Sequence, residues 1–449
     1  MNTSIVGRAG RISFSPANVI SRKAERNNST QIKILKWGIW SYFFLLIFEG
    51  ALRKWVVPSL STPLLIIRDP IAIGLILMSI RLKQIRINSI LAGVVLISIV
   101  SIFTALFFGH GSLPVAIFGA RIFLIHFPLI FIIGKVFTLE DVIAMGKVFL
   151  KLSIPMTVLI VLQFYSPQGS WVNRGVGDDM TGGGFSGAMG FYRPPATFSF
   201  ITGTVAFYSV VACYVFYFFF NIKLVNKLLL YAATFCLVIS IPVSISRSLF
   251  LTIIVIFAFT LFAISRESKH LKKIFGGFLV VCLALIILSN TSKFQTATEA
   301  FSERFSNASK SEGGLTGALL DRYLGGMLEA IQNSSEQSFF GYGIGMGTNV
   351  GSMLLAGKTK FLIAESEWGR VIGEMGPIMG LLIIFFRLKL CAVIGLAAYK
   401  KIQTGNLLPW ILLSFVLLNI PQGQWAQPTI LGFSVLVCGL AIASLKDSK

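Results

Sequence analysis

Ala364-Glu365-Ser366-Glu367-Trp368-Gly369-Arg370-Val371-Ile372-Gly373-Glu374-Met375-Gly376-Pro377-Ile378-Met379-Gly380 opens an apolar run that continues to about residue 398. Glu365, Glu367, Glu374 and Arg370 thus stand at the mouth of a segment longer than the roughly 20 residues that cross a bilayer. Carrying such a group toward lipid costs at least about 3 kcal/mol, so each needs a polar cavity or a partner and marks a path or a site.

Apolar runs near the spanning length recur at about 32–49, 62–80, 88–108, 115–135, 143–164, 196–220, 227–245, 248–265, 274–290, 370–398, 407–421 and 427–445. They give an all-α polytopic membrane protein of about twelve helices. Composition agrees, with 55% of the 449 residues hydrophobic and 13% charged, against about 25% charged in soluble domains. The formal charge of +21 reads as topology and not as a nucleic-acid partner. Its Lys and Arg gather in short connections, among them Arg81, Lys83, Arg86, Lys135, Lys223, Lys227, Arg266, Lys269, Lys272, Lys273, Lys400, Lys401, Lys446 and Lys449. By the positive-inside rule both termini then face the cytoplasm, and the Arg53-Lys54 pair on the outer side is the exception.

Residues 1–31 read as a disordered basic cytoplasmic tail without a signal-peptide core, and 32–290 as the first nine helices. Residues 291–367 read as a large outer loop, and 368–449 as the last three helices with a cytoplasmic C-terminus. Cys213, Cys236, Cys282, Cys391 and Cys438 all lie in apolar runs with no ligand spacing, so neither a disulfide framework nor a metal site is indicated.

Two outer loops are long. One, about 165–195, is Gly-rich and ends Tyr192-Arg193-Pro194-Pro195; the other is 291–367. Within the second, Leu320, Tyr323, Leu324, Met327, Leu328 and Ile331 recur at helical spacing opposite Arg322 and Glu329, which predicts an amphipathic helix on the membrane surface.

Charges also interrupt the spans. Arg68-Asp69, Arg121, His126 and the Glu49/Arg53 pair have a structural reading as ion pairs that hold helices in register. The functional reading rests on convergence, since Arg193, Arg247, Arg322 and Arg370 all fall on the outer side of the inferred topology. Guanidinium forks match phosphate oxygens two at a time, so the four suit a lipid diphosphate.

The run Phe340-Gly341-Tyr342-Gly343-Ile344-Gly345-Met346-Gly347 lacks the strand and the Lys-Ser/Thr of a nucleotide loop, which leaves backbone that approaches a sugar or phosphate closely at Gly343 and Gly345. Asp178-Asp179 reads as a solvated turn. Gly369, Gly373, Gly376 and Gly380 recur at a spacing that admits a second helix and holds Glu365 and Glu367 rigidly at the surface.

These features resemble the O-antigen ligase and O-antigen polymerase superfamily. The likeness is carried by the helix count, the long loop in the second half, the Ser246-Arg247 step, Arg322 upstream of the glycine run, and a polar pair before a Gly-x-x-x-Gly helix. Phe48 to Trp55 and Ile67-Arg68-Asp69-Pro70 are similar to an exopolysaccharide-polymerase-like branch. Where the ligases carry a histidine and a small polar residue, this chain has Glu365-Ser366, which tilts the resemblance toward a polymerase.

The resemblance implies a GT-C-like fold in the bacterial inner membrane, with no cofactor and no metal. It implies polymerisation of undecaprenyl-diphosphate-linked repeat units into a surface or exopolysaccharide on the outer side. Arg193, Arg247, Arg322 and Arg370 would hold the diphosphate, Glu365 or else Glu367 would take the acceptor proton, and Gly343, Gly345 and Arg121 would meet the glycan. Partners are the lipid-linked glycan, membrane lipid, and a chain-length regulator or flippase. The competing readings are transfer to a lipid or protein acceptor, and a polysaccharide transporter, which buried charges on about twelve helices also describe.

Overall fold

The computed structural model describes residues 16–85, 87–265, 286, 288, 290–311, 325–358 and 361–446. Its helices are α1 (Pro16–Ala51), α2 (Arg68–Arg81), α3 (Ser89–Phe107), α4 (Leu113–Arg121), α5 (Phe127–Val136), α6 (Leu139–Tyr165), α7 (Ile201–Phe220), α8 (Lys227–Val243) and α9 (Arg247–Ser265). They continue as α10 (Ser292–Ser311), α11 (Gly326–Gln332), α12 (Asn349–Ala356), α13 (Glu367–Ile402), α14 (Leu408–Asn419) and α15 (Pro428–Ser444). The only strands among the described residues are the two-residue β1 (Phe185–Ser186) and β2 (Tyr192–Arg193), paired antiparallel.

Eight helical segments are long and apolar enough to cross a membrane, and α8, α14 and α15 are shorter apolar helices. The protein is therefore an all-α, multi-pass membrane protein. The expected run 274–290 falls almost wholly outside the described residues. Residues 16–31, expected to be disordered, are the N-terminal part of α1; between Pro16 and the apolar run there is no Gly or Pro to stop the helix.

The core forms around α7 and α15, which are buried nearly all round. With lipid on the outside, helix association depends on close packing and polar contacts more than on burial of apolar area. Gly439 of α15 lies under Ile133 and Gly134 of α5 under Ile442, so each helix supplies the notch for the other.

At one end of the bundle Lys36 pairs with Asp141 at 2.5 Å, Asn406 Nδ2 donates to Ser444 O, and Lys446 Nζ donates to Lys135 O and Phe137 O. The opposite end carries 165–200 and the helices of the second long loop. There Arg53 bonds Ser61 O and Ser199 Oγ, Trp55 Nε1 donates to Trp171 O, and Tyr165 OH to Lys293 O.

The long loop is helical where described. α10 presses Phe301 and Phe305 on Phe250, and its Arg304 donates to Gly187 O at 2.9 Å. The expected amphipathic helix is described only over Gly326–Gln332, with Leu320, Arg322, Tyr323 and Leu324 outside the described residues.

Candidate functional site

α13 carries the decisive stretch and is not continuous. Gly376 has φ 78° and ψ 168°, a conformation open to glycine, and Pro377 follows with no N–H, so the helix breaks two residues beyond Glu374. The break frees the carbonyls of Gly373 and Glu374, which accept from Tyr342 N at 2.8 Å and Gly343 N at 3.0 Å. Gly341, Gly343 and Gly345 all have positive φ, so the glycine run wedges as bare backbone between the broken helix and α4. A Cβ on Gly343 would meet the His110 ring at 2.6 Å, and one on Gly345 would meet Gly119 N at 3.0 Å. This corrects the reading of Gly343 and Gly345 as glycan-facing, because both are buried in protein. It also corrects the helix-packing reading of the glycine series, since Gly373 and Gly376 accommodate Ile363, Phe339 and Gly341 of the preceding loop.

Behind the break lies a closed ion cluster. Arg370 donates from Nε and Nη2 to Glu367 (3.1 and 2.8 Å) and from Nη1 to Glu374 (2.6 Å). Arg387 Nη1 donates to Glu367 at 2.7 Å and its guanidinium lies 3.8 Å from the Trp425 ring centroid. Trp425 N completes Glu367 at 3.1 Å, and Gly347 N completes Glu374 at 2.9 Å. All four charged side chains are at least 97% buried, and two cations face two carboxylates. Glu367 and Arg370 were expected to act as base and diphosphate ligand. Both have their hydrogen-bonding capacity committed to each other, which suits a structural role.

A second buried network joins α1, α2 and the π-helical turn Ile122–His126. Glu49 accepts from Arg68 at 3.0 Å and faces Arg53 at 3.6 Å. Asp69 accepts from Arg121 at 2.7 Å and pairs with His126 at 3.0 Å, while Tyr42 OH lies 3.1 Å from His126 Nδ1. Arg68 Nη2 reaches Pro428 O at 2.7 Å. Arg121, expected to meet glycan, is thus a partner of Asp69 stacked 4.1 Å over Phe118. Register-holding pairs were expected here, with Arg68 and Asp69 matched to each other; each instead turns to a different helix.

At the loop end three recesses share walls. The largest, a cleft of about 840 Å³, is lined by Glu329, Asn333, Gln337, Tyr342, Glu365 and Gln424 among others. Gly326, Ser366 and Gln424 also line a neck of about 220 Å³. Leu418 and Gln422 pass from that neck into a recess of about 340 Å³ that holds Arg193, Ser246 and Ser248.

Glu365 is exposed on the cleft wall, one residue before Ser366, which caps α13 by accepting from Gly369 N. Its own carbonyl accepts from Gln424 Nε2 at 3.1 Å. Gln427 Nε2 donates to Gln424 Oε1, and Thr202 Oγ1 to Gln427 Oε1 at 3.0 Å. One hydrogen-bonded chain therefore links Thr202 in the recess to Glu365 in the cleft.

In the recess, Arg193 donates from Nε to Ser186 O at 3.2 Å; Arg247 begins α9 between the lining residues Ser246 and Ser248 but does not itself line the recess. The N-terminal residues of α7, α9 and α15 (Ile201 and Thr202, Ser248, Ile430) meet there, and no carboxylate lines it among the described residues. Each helix start brings about half a positive charge. Below them Val205, Leu251, Val255 and Phe415 continue the recess as an apolar groove.

The structure brings Arg193, the start of α9 and Glu365 onto one trough, places Arg370 and Arg121 in closed pairs, holds Glu367 in the ion cluster where it also lines the neck, and leaves Arg322 outside the described residues. The sequence reading passed over Arg387, Gln422, Gln424, Trp425 and Gln427. Signals for them were present: one arginine after the apolar run Leu381–Phe386, and three glutamines with a tryptophan between two spans. Asp178 pairs with Arg174 at 3.0 Å, and hydrogen bonds from Thr181 hold the Asp179 carboxyl below its usual range, as a solvated turn requires. No group of potential metal ligands occurs among the described residues. The chain matches no model of a known protein family, no curated protein and no solved structure.

Proposed function

We propose that this protein polymerises glycan repeat units carried on undecaprenyl diphosphate, on the outer side of the bacterial inner membrane. The observation that carries the reading is the trough itself. At one end lies a recess suited to an anion, with an apolar groove descending from it, and at the other an amide- and carboxylate-lined cleft. A lipid diphosphate has that same order of parts: a chain, a doubly charged head, and then sugars. On this reading the eight long and three shorter apolar helices of the described residues belong to a GT-C-like arrangement of about twelve spans with both termini cytoplasmic.

In this mechanism a hydroxyl oxygen of the acceptor glycan attacks the anomeric carbon of the donor. The bond from that carbon to the diphosphate oxygen breaks, and the electron pair leaves with the lipid diphosphate. Arg193, Arg247 and the helix starts offset the negative charge that grows there. Glu365 accepts the hydroxyl proton, a role for which an exposed carboxylate at the cleft wall, without an ion-pair partner among the described residues, is suited.

One observation favours transport as the second reading: carriers bind substrates at broken helices, and α13 is broken at Gly376. In carriers such backbone lines a water-filled cavity. Here residues 341–347 fill it, which weighs toward catalysis.

Purified protein in liposomes, supplied with a synthetic polyprenyl-diphosphate repeat unit, tests the proposal. Polymerisation yields longer glycans on the lipid, ligation yields glycan on another acceptor, and transport relocates chains of unchanged length. Glu365→Gln should abolish growth while the protein still inserts normally, and polymer retained in that variant removes Glu365 from the chemistry.

A further inference from the structure

The trough is electrically uneven, and from this we infer the class of glycan it accepts: neutral or amine-bearing sugars, with uronate-rich repeat units disfavoured. The inference rests on the glycosyl-transfer reading above. Among the described residues lining the cleft, the only ionised side chains are Glu329 and Glu365. Both are exposed to the cleft, and neither has an ion-pair partner among the described residues. The remaining polar wall is neutral: Asn333, Gln337, Gln424 and Ser366 offer amide and hydroxyl groups that exchange hydrogen bonds with sugar hydroxyls. Tyr342, 45% exposed, adds a ring on which a sugar face can rest.

The contrast with the recess is chemical. Arg193 and three helix starts meet there and no carboxylate lines the recess among the described residues, so a diphosphate is drawn to that end and repelled from the other. A glycan carboxylate in the cleft would lie beside two like charges with no described cation to receive it. A sugar ammonium there would gain what the carboxylate loses. The cleft is open to water, which moderates the effect to about tenfold in affinity for one charge.

The test uses the full chain in nanodiscs of zwitterionic lipid and three soluble hexasaccharides as probes: glucosamine, N-acetylglucosamine and galacturonate oligomers. Binding is read by titration calorimetry. The expected order is amine tightest, neutral between, and uronate at least about tenfold weaker than amine, with the spread shrinking in 1 M salt, where screening acts over about 3 Å. The Glu329→Gln/Glu365→Gln double variant should compress the amine-to-uronate ratio to about threefold or less. Uronate binding as tightly as the neutral probe, or a ratio unchanged in the double variant, overturns the charge inference and leaves the glycan reading standing. Failure of all three probes to bind overturns both.

Discussion

Glu367→Gln separates a structural counter-ion from a catalytic base. The wild-type carboxylate accepts from Arg370 twice, from Arg387 at 2.7 Å and from the Trp425 amide at 3.1 Å. Substituting an amide keeps the shape and one acceptor oxygen, but leaves two buried guanidinium groups in a cluster whose one remaining carboxylate, Glu374, pairs with Arg370 and not with Arg387. Removing one partner of a buried pair costs about 3–5 kcal/mol, because the charge left behind is not solvated. With an unfolding entropy of about 2 cal/mol/K per residue, a chain of 449 residues loses about 3–5 °C of melting temperature for that cost. The assay is thermal exposure of the buried Cys213, Cys391 and Cys438 to a thiol-reactive dye in detergent. Adding Arg387→Met to Glu367→Gln restores charge balance around Arg370 and Glu374, so the double variant should recover part of the loss and show a coupling above about 1 kcal/mol. A Glu367→Gln protein with unchanged melting temperature and no polymer growth would refute this account and return Glu367 to the chemistry.

Glu365→Gln should do the reverse, abolishing polymer growth in the liposome assay with a melting temperature within about 1 °C of wild type, since an exposed side chain away from packed features contributes little to stability. Gly345→Ala places a Cβ against Gly119 N at 3.0 Å on backbone with φ 94°, so it should cost about 2 kcal/mol or more, read by the same dye. Arg121→Met leaves Asp69 with His126 as its only partner among the described residues and should cost about 3 kcal/mol in stability, without shifting lipid-diphosphate affinity measured on the solubilised protein. Burial, then the nearby Lys135 charge, pushes Lys446 down to about 8 from 10.5. The unfolded chain therefore binds the extra proton between those values, stability rises with pH across that window, and Lys446→Met should flatten the rise in a melting series.

Hydropathy made the spans legible, and most helix limits fall within a few residues of the apolar runs, because length and composition alone decide whether a helix can cross a bilayer. Pairing was less legible. Arg68 and Asp69 are adjacent, yet their side chains leave α2 toward Glu49 and toward Arg121 with His126, a choice made by helix packing that spacing along one chain does not reveal. The same holds for Glu367, whose exposed-looking neighbour Glu365 lines the cleft while Glu367 itself turns inward to Arg370 and Arg387. Glycine readings went astray for a related reason: positive φ and close approach were foreseeable at Gly343 and Gly345, but not that the approaching body is α4 and not a ligand. Arg387 was legible in principle, as a charge within an apolar run that nothing nearby in sequence neutralises.

On the proposed function a diphosphate headgroup sits beside Arg193 and the start of α9, with the attached sugars running past Gln422 and Gln424 toward Glu365. A density map of the protein in nanodiscs with a polyprenyl-diphosphate disaccharide measures this directly. The expected map has phosphate density within hydrogen-bond reach of Arg193 and Ser246, the polyprenyl chain along Leu251 and Val255, and sugar density toward the cleft. Phosphate density at the opposite end of the bundle, near Lys446 and Lys135, or sugar density remote from Glu365, would contradict it.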